Sequence, residues 1–128
     1  MTRTRIETGD APHAMGPYRQ GLSSGDLVFC SGQIGLDPAT GKLPDGFEAQ
    51  VERAMRNIGG VLEAAGLGYG NIVKTTLFLT DISQFQVVNA IYKTVLKEPF
   101  PARSTIGVAA LPGGATFEIE AIAMRDGG

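Results

Sequence analysis

The segment Ile72–Thr80, IVKTTLFLT, is dense in β-branched and aromatic residues and reads as a strand. Alternate strand residues point to opposite sides, so Val73, Leu77 and Leu79 are expected on one side and Ile72 and Phe78 on the other. The segment Phe117–Met124, FEIEAIAM, repeats the pattern, with Phe117, Ile119, Ala121 and Ala123 opposed to Ile122 and Met124. Both faces of the implied sheet are therefore apolar.

Between the strands the period changes. Phe47, Val51, Ala54, Ile58, Leu62 and Ala65 recur at spacings of three and four, which predicts a helix closed by Gly66. The pair Gly59-Gly60 weakens its middle and marks close packing against another backbone. Asp81 is a candidate N-cap, with Gln84 three residues on, for a second helix carrying Phe85, Val88, Tyr92 and Val95 on one face. Glu98-Pro99-Phe100-Pro101 stops it. Further strands are expected over Thr4–Glu7, Leu27–Ser31 (ended by Gly32) and Ser104–Val108, with loops over Leu36–Gly46 and Leu111–Ala115.

The order β, β, α, β, α, β, β predicts parallel neighbours at each strand–helix–strand passage, antiparallel hairpins at the two ends and both helices on one face. Two helices cover only one side of a sheet. The other would be a large apolar patch, so an oligomer with facing sheets is expected.

At 128 residues and 13.4 kDa, a single domain over 1–128 is expected. Apolar residues make up 43% and charged residues 19%, which places the chain among folded globular domains. Lys plus Arg number 11 against 13 Asp plus Glu, and the pI is about 5.3. The basic residues are scattered, with only small pairs at Arg3/Arg5 and Arg53/Arg56, so nucleic acid is not the expected partner. No apolar run reaches the length of a membrane span, and no secretory segment opens the chain. Cys30 and His13 are each the only residue of their type, which excludes a disulfide framework, a multi-Cys/His zinc site and, effectively, a Ser–His–Asp triad. The expected location is cytoplasmic.

Arg103 begins a strand after Pro101-Ala102, so its base is held rigidly. A guanidinium suits a carboxylate because its fork makes two parallel charge-assisted bonds, but a surface charge or structural ion pair fits the same position. Glu118 and Glu120 share a side of the last strand. If that side is buried, a carboxylate there must be paired, protonated or functional, and an arginine across a subunit boundary is one partner for Glu120. The hydroxyls of Tyr18 and Ser31 lie beside glycines and could serve turns. Cys30, alternating with Ser31, is expected to be a small core residue.

Gly16-Pro17-Tyr18 with Gln20, Ser31-Gly32-Gln33-Ile34, Val88-Asn89 with Tyr92, Pro101-Ala102-Arg103-Ser104 and Phe117–Ala123 occur in this order and together closely resemble the RidA (YjgF) family of reactive-intermediate imine deaminases. The resemblance spans Ala11 to Arg125. It implies an α+β, chorismate-mutase-like fold with a mixed six-stranded sheet and two helices on one face. It also implies a homotrimer whose sheets line a central barrel, with sites in the clefts between subunits. The implied reaction is hydrolysis of 2-imino acids to 2-oxo acids and ammonia without metal or organic cofactor. Arg103 would hold the carboxylate and Glu118 would position the attacking water, with Tyr18, Ser31, Gly32 and Thr105 contacting the substrate. Many members carry cysteine where this chain has Thr105 and glutamate where it has Gly107. Thr105 would still line the cleft beside Arg103, and Gly107 would widen the pocket or alter preference. A binding module for small 2-oxo acids is the alternative reading; ribonuclease action fits the acidic, histidine-poor composition badly.

Overall fold

The computed structural model describes residues 2–126; residues 1, 127 and 128 of the expected domain lie outside the described residues. Six strands and two longer helices follow one another as β1 (Arg3–Ile6), β2 (Gly21–Ser24), β3 (Leu27–Ile34), α1 (Phe47–Ala64), β4 (Ile72–Leu79), α2 (Phe85–Val95), β5 (Ala102–Gly107) and β6 (Phe117–Met124). They form an α+β unit around one mixed sheet of order β1-β2-β3-β6-β4-β5.

The polar tetrapeptide of β2, GLSS, carries no strand pattern of its own and becomes a strand by pairing on both sides, with β1 and with β3. β3 runs past the expected stop at Gly32 to Ile34, because the ladder to β6 absorbs an irregularity between Cys30 and Gln33 instead of ending.

The expected neighbours also need correction. β4 and β5 are parallel across α2, as the pattern predicts. β3 and β4, however, are not adjacent, and β5 and β6 form no hairpin: β6 inserts between β3 and β4, antiparallel to both. The central place suits β6, whose alternating residues Phe117, Ile119, Ala121 and Ala123 are all buried.

Those residues join Leu77, Leu79 and the apolar stripe of α1 (Val51, Ala54, Ile58, Val61, Leu62) in one core, to which α2 adds Val88 and Tyr92. The simple alternation fails at the start of β4. A register shift between Ile72 and Lys74 places Ile72 opposite Ala123, on the core side at 6% exposure, and leaves Val73 outside at 43%. A bulge inserts one residue and so inverts the parity before it.

α1 ends as expected, Gly66 taking φ 77° just past the helix. The glycine pair inside it lets two segments approach: a Cβ on Gly59 would collide with the Tyr69 hydroxyl, and one on Gly60 would lie 3.0 Å from the Asp10 carbonyl oxygen. Asp81 caps a short 3-10 turn, Ile82–Gln84, in place of α2 itself; its carboxylate accepts from the Ser83 N–H at 3.0 Å and the Ser83 hydroxyl at 2.6 Å. α2 stops at Val95, before the prolines.

No helix of the described residues is long and apolar enough to cross a membrane. Both longer helices pack on one face of the sheet. The other face is uncovered and carries Phe29, Ile106 and Met124 at 40%, 43% and 45% exposure, with half-buried Phe78 and Ile122 between them.

Candidate functional site

Five of the predicted site residues fall into two groups on opposite faces of the sheet, and Tyr18 stands apart from both in the loop before β2, in a cavity with Glu7, His13 and Arg19. The first group is built on β5, an edge strand. Arg103 is paired with Thr75 on β4, and Thr75 points at α2, where its hydroxyl is 2.8 Å from the Tyr92 hydroxyl. Arg103 therefore also faces α2, and its guanidinium carbon lies 4.9 Å from the Tyr92 ring centroid and 5.4 Å from that of Phe85. Phe85 and Tyr92 are seven residues apart, two turns of one helix face, so they meet the same side chain. Burial pushes the Tyr92 hydroxyl above its ordinary pKa, against the opposing pull of the Thr75 hydrogen bond and the Arg103 charge.

Two aromatic faces hold the guanidinium by cation–π attraction while leaving its N–H groups unspent. Among the described residues no hydrogen bond or ion pair engages it; the only ion pair there joins Arg19 to Glu7. Arg103 borders a cavity of about 350 Å³ shared with Asn89, Tyr92, Lys93, Phe100 and Pro101. Thr105, two residues along β5 on the same side, has its hydroxyl oxygen buried without a hydrogen-bond partner. Gly107 comes next in that row, and a Cβ there would stand 3.4 Å from that of Ile82, so this end is bordered by an apolar side chain.

The second group lies where β3 meets β6. Glu118 pairs with Ile34 and with Phe78, on the face the helices leave open. A Cβ on Gly32 would stand 2.5 Å from a Glu118 carboxylate oxygen, so the missing side chain is what lets Glu118 lie against the β3 backbone. Burial raises the Glu118 pKa, and the neighbouring Glu120 charge raises it further. Ser31, next to Gly32 in the chain, is pinned by its hydroxyl donating to the Arg19 carbonyl at 2.6 Å and its N–H to the Gln20 carbonyl at 2.9 Å, and it lines a cavity with Arg19 and Glu120. Tyr18 is half-exposed, its hydroxyl accepting from the Met15 N–H at 3.2 Å. Cys30, facing the core as expected, has a thiol pushed up to about 12 by burial and is inert.

One chain thus brings Gly32 and Glu118 together, with Ser31 next to Gly32 in β3, and separately Arg103 and Thr105, but it does not join the two groups. Arg103 stands in the row with Thr75 and Ala121, whereas Glu118 stands in the row with Phe78 and Ile106, two strands away and on the other face.

Several residues that build the site were not assigned roles from the sequence. Phe85 read there only as part of a core face, Tyr92 as part of that face and of a family motif without a role, and Phe100 only as part of a helix stop. Gln20 is the staple of the loop before β2. Its amide nitrogen donates to the carbonyls of Thr8, Ala11 and Pro12 at 3.0, 3.1 and 2.7 Å, and its oxygen accepts from the Thr8 N–H at 2.7 Å. A buried glutamine beside glycines is a signal for such a staple. Among the described residues no group of three His, Cys, Asp or Glu side chains could hold a metal.

Comparison with known proteins places this arrangement. The family model described as endoribonuclease L-PSP matches residues 8–125. The human 2-iminobutanoate/2-iminopropanoate deaminase is 46% identical over 126 residues, covering 98% of this chain and 92% of the relative. The crystal structure of RidA from the Antarctic bacterium Psychrobacter superposes with a TM-score of 0.93 at 45% identity, covering 94% of this chain and 98% of that one. Escherichia coli TdcF, crystallised with bound serine, gives 0.92 at 41% identity, covering 96% and 99%. With its fold, its motifs and nearly its whole length shared with these proteins, the chain belongs to the RidA (YjgF) family, the group described by the endoribonuclease L-PSP model.

Proposed function

We propose that this protein hydrolyses reactive 2-imino acids to 2-oxo acids and ammonia in the cytoplasm, at a site assembled from Arg103 of one copy and Glu118 of another within a homotrimer. The observation that carries the reading is the Arg103 guanidinium, clamped between two aromatic rings with no carboxylate among the described residues taking its charge. Such a group is ready for an external carboxylate. Relatives at 45–47% identity that bear the deaminase name, and a relative crystallised with serine, a small carboxylate ligand, support the same chemistry.

The chemistry follows from the two groups. Arg103 takes the substrate carboxylate and fixes C2 of the protonated imine. Glu118, a base with a raised pKa, accepts a proton from water as the water oxygen bonds to C2. The resulting carbinolamine carries hydroxyl and amine on one carbon. Glu118 returns the proton to nitrogen, the C–N bond breaks, and the hydroxyl proton is released as the carbonyl forms. The balance is one imine and one water consumed, one 2-oxo acid and one ammonia produced. Tyr18, Ser31, Gly32 and Thr105 are assigned to the walls. These imines also hydrolyse unaided, so a sparse site suffices.

The test is to generate 2-aminoacrylate enzymatically from serine and follow loss of its imine. The wild type is expected to accelerate the decay and Arg103→Ala to abolish the acceleration. A wild type that binds 2-oxobutanoate yet gives no acceleration establishes instead a carboxylate-binding module, the reading favoured by a single chain keeping its two groups apart. A steep fall of RNA affinity with salt would instead revive an RNA-directed role.

A further inference from the structure

A second cluster of cations lies far from the residues assigned to hydrolysis, on the exposed side of α1. Lys42 of the loop after β3 and Arg53 and Arg56 of α1 border one cavity of about 510 Å³, which shares no residue with the cavity beside Arg103. Arg53 and Arg56 are three residues apart, neighbours on a helix surface, where like charges repel. Asp37 and Glu52 line the same cavity, yet among the described residues no carboxylate makes an ion pair with any of the three cations. The Asp37 carboxylate is taken up in its own turn, accepting from the Ala39 N–H at 2.8 Å. Two of the cations are placed by the fold. Arg53 Nε donates to Asn57 Oδ1 at 3.0 Å, and Asn57, fully buried, is itself held by the Ile34 and Leu36 carbonyls. That bond fixes one edge of the guanidinium and leaves both terminal nitrogens over. Lys42 closes a turn: its carbonyl accepts from the Asp37 N–H at 2.9 Å, and Gly41, at φ 73°, brings the chain round.

We infer that the cavity between the loop after β3 and α1 binds a phosphate monoester of a hydroxylated carbon skeleton, a sugar phosphate, with Lys42, Arg53 and Arg56 on the phosphate. Cations presented from both a loop and a helix suit a tetrahedral oxyanion, which offers three oxygens where a carboxylate offers two. The two carboxylates decide the rest of the ligand. They repel a bare anion but accept hydrogen bonds from hydroxyls, while Leu43 and Pro44 supply apolar wall for the carbon skeleton. An adjoining cavity at Gly59 and Gly60 shares Arg53, Arg56 and Asp37 but adds Asp10 and Glu63. Carboxylates outnumber cations there, so the phosphate belongs on the Lys42 side. The contact between copies proposed above covers the sheet face away from the helices, and the cavity stays open to solvent in that assembly.

The experiment is calorimetric titration of the full-length protein with glucose 6-phosphate, inorganic phosphate and glucose at one ionic strength. Glucose 6-phosphate should bind about tenfold or more tightly than inorganic phosphate, and glucose more weakly than either. Lys42→Gln and Arg56→Gln, both at exposed positions, should each weaken glucose 6-phosphate by about tenfold. Glu52→Gln should tighten inorganic phosphate and weaken glucose 6-phosphate, because one carboxylate both repels the anion and holds hydroxyls. Arg103→Ala should leave all these affinities as they are in the wild type. The assignment is overturned by absence of binding at millimolar ligand, by equal affinity for the two phosphates, or by an affinity that neither Lys42→Gln nor Arg56→Gln moves. Binding lost in Arg103→Ala alone also overturns it, by placing the phosphate at the carboxylate anchor instead.

Discussion

Glu118 and Thr105 show how single groups can be set at some cost to the fold. Burial and Glu120 both disfavour the Glu118 anion, so its folded pKa lies above the unfolded one. The stability linked to this group is present at low pH and is lost as pH rises from the unfolded value through the folded one. Glu118→Gln should remove that dependence and, with it, hydrolysis. The acid limb of kcat/KM should lie above the ordinary carboxylate range, and Glu120→Gln should move it downward; a pH–rate profile unchanged by Glu120→Gln would detach the limb from Glu118. Thr105 hides a hydroxyl with no partner, and Thr105→Val should raise stability by about 1 kcal/mol in urea melts while lowering turnover. Destabilisation would show that the hydroxyl is satisfied in the assembled protein. The sequence made Glu118 legible as a candidate because two glutamates on one side of an apolar strand are unusual, and Arg103 through the motif Pro101-Ala102-Arg103-Ser104. It could not show that Arg103 lies between Phe85 and Tyr92, since those rings carry the ordinary pattern of a core face.

Among the elements, α1 and β6 were readable because each pattern is uninterrupted: 3.6-residue spacing in one, strict alternation in the other. β2 was not, because GLSS has no local preference and owes its conformation to partners on both sides. The place of β6 between β3 and β4 was equally hidden, for alternation fixes a strand's faces but not its neighbours. The bulge at Val73 exchanged the expected sides of Ile72 and Val73. α1 also anchors the start of the loop after β3. The Asn57 amide donates to the carbonyls of Ile34 and Leu36 at 3.0 and 2.8 Å, and its oxygen accepts from the Arg53 guanidinium at 3.0 Å. Asn57 is fully buried, so Asn57→Ala strands two carbonyls and should cost about 2–4 kcal/mol in chemical denaturation. A loss under about 0.5 kcal/mol would mean that water replaces the amide.

For the molecule as a whole, the proposed homotrimer accounts at once for the uncovered sheet face and the separation of Arg103 from Glu118, because a second copy would meet the first on that face. The two apolar faces of IVKTTLFLT already pointed to association. The resemblance already implied sites between subunits, and the placement of Arg103 and Glu118 on opposite faces is what the proposed sharing rests on. The half-buried Ile122 lies on the open face, and Ile122→Asp should dissociate the proposed trimer and abolish hydrolysis while the far-ultraviolet circular dichroism persists. A dissociated variant with full activity would refute the shared site. The sharing itself is tested most directly by complementation. Arg103→Ala and Glu118→Gln proteins, each inactive alone, are denatured together in equal amounts and refolded. If each site takes its arginine and its glutamate from different copies, random assembly restores about one quarter of wild-type imine hydrolysis. Recovery no greater than the sum of the two inactive proteins would contradict it.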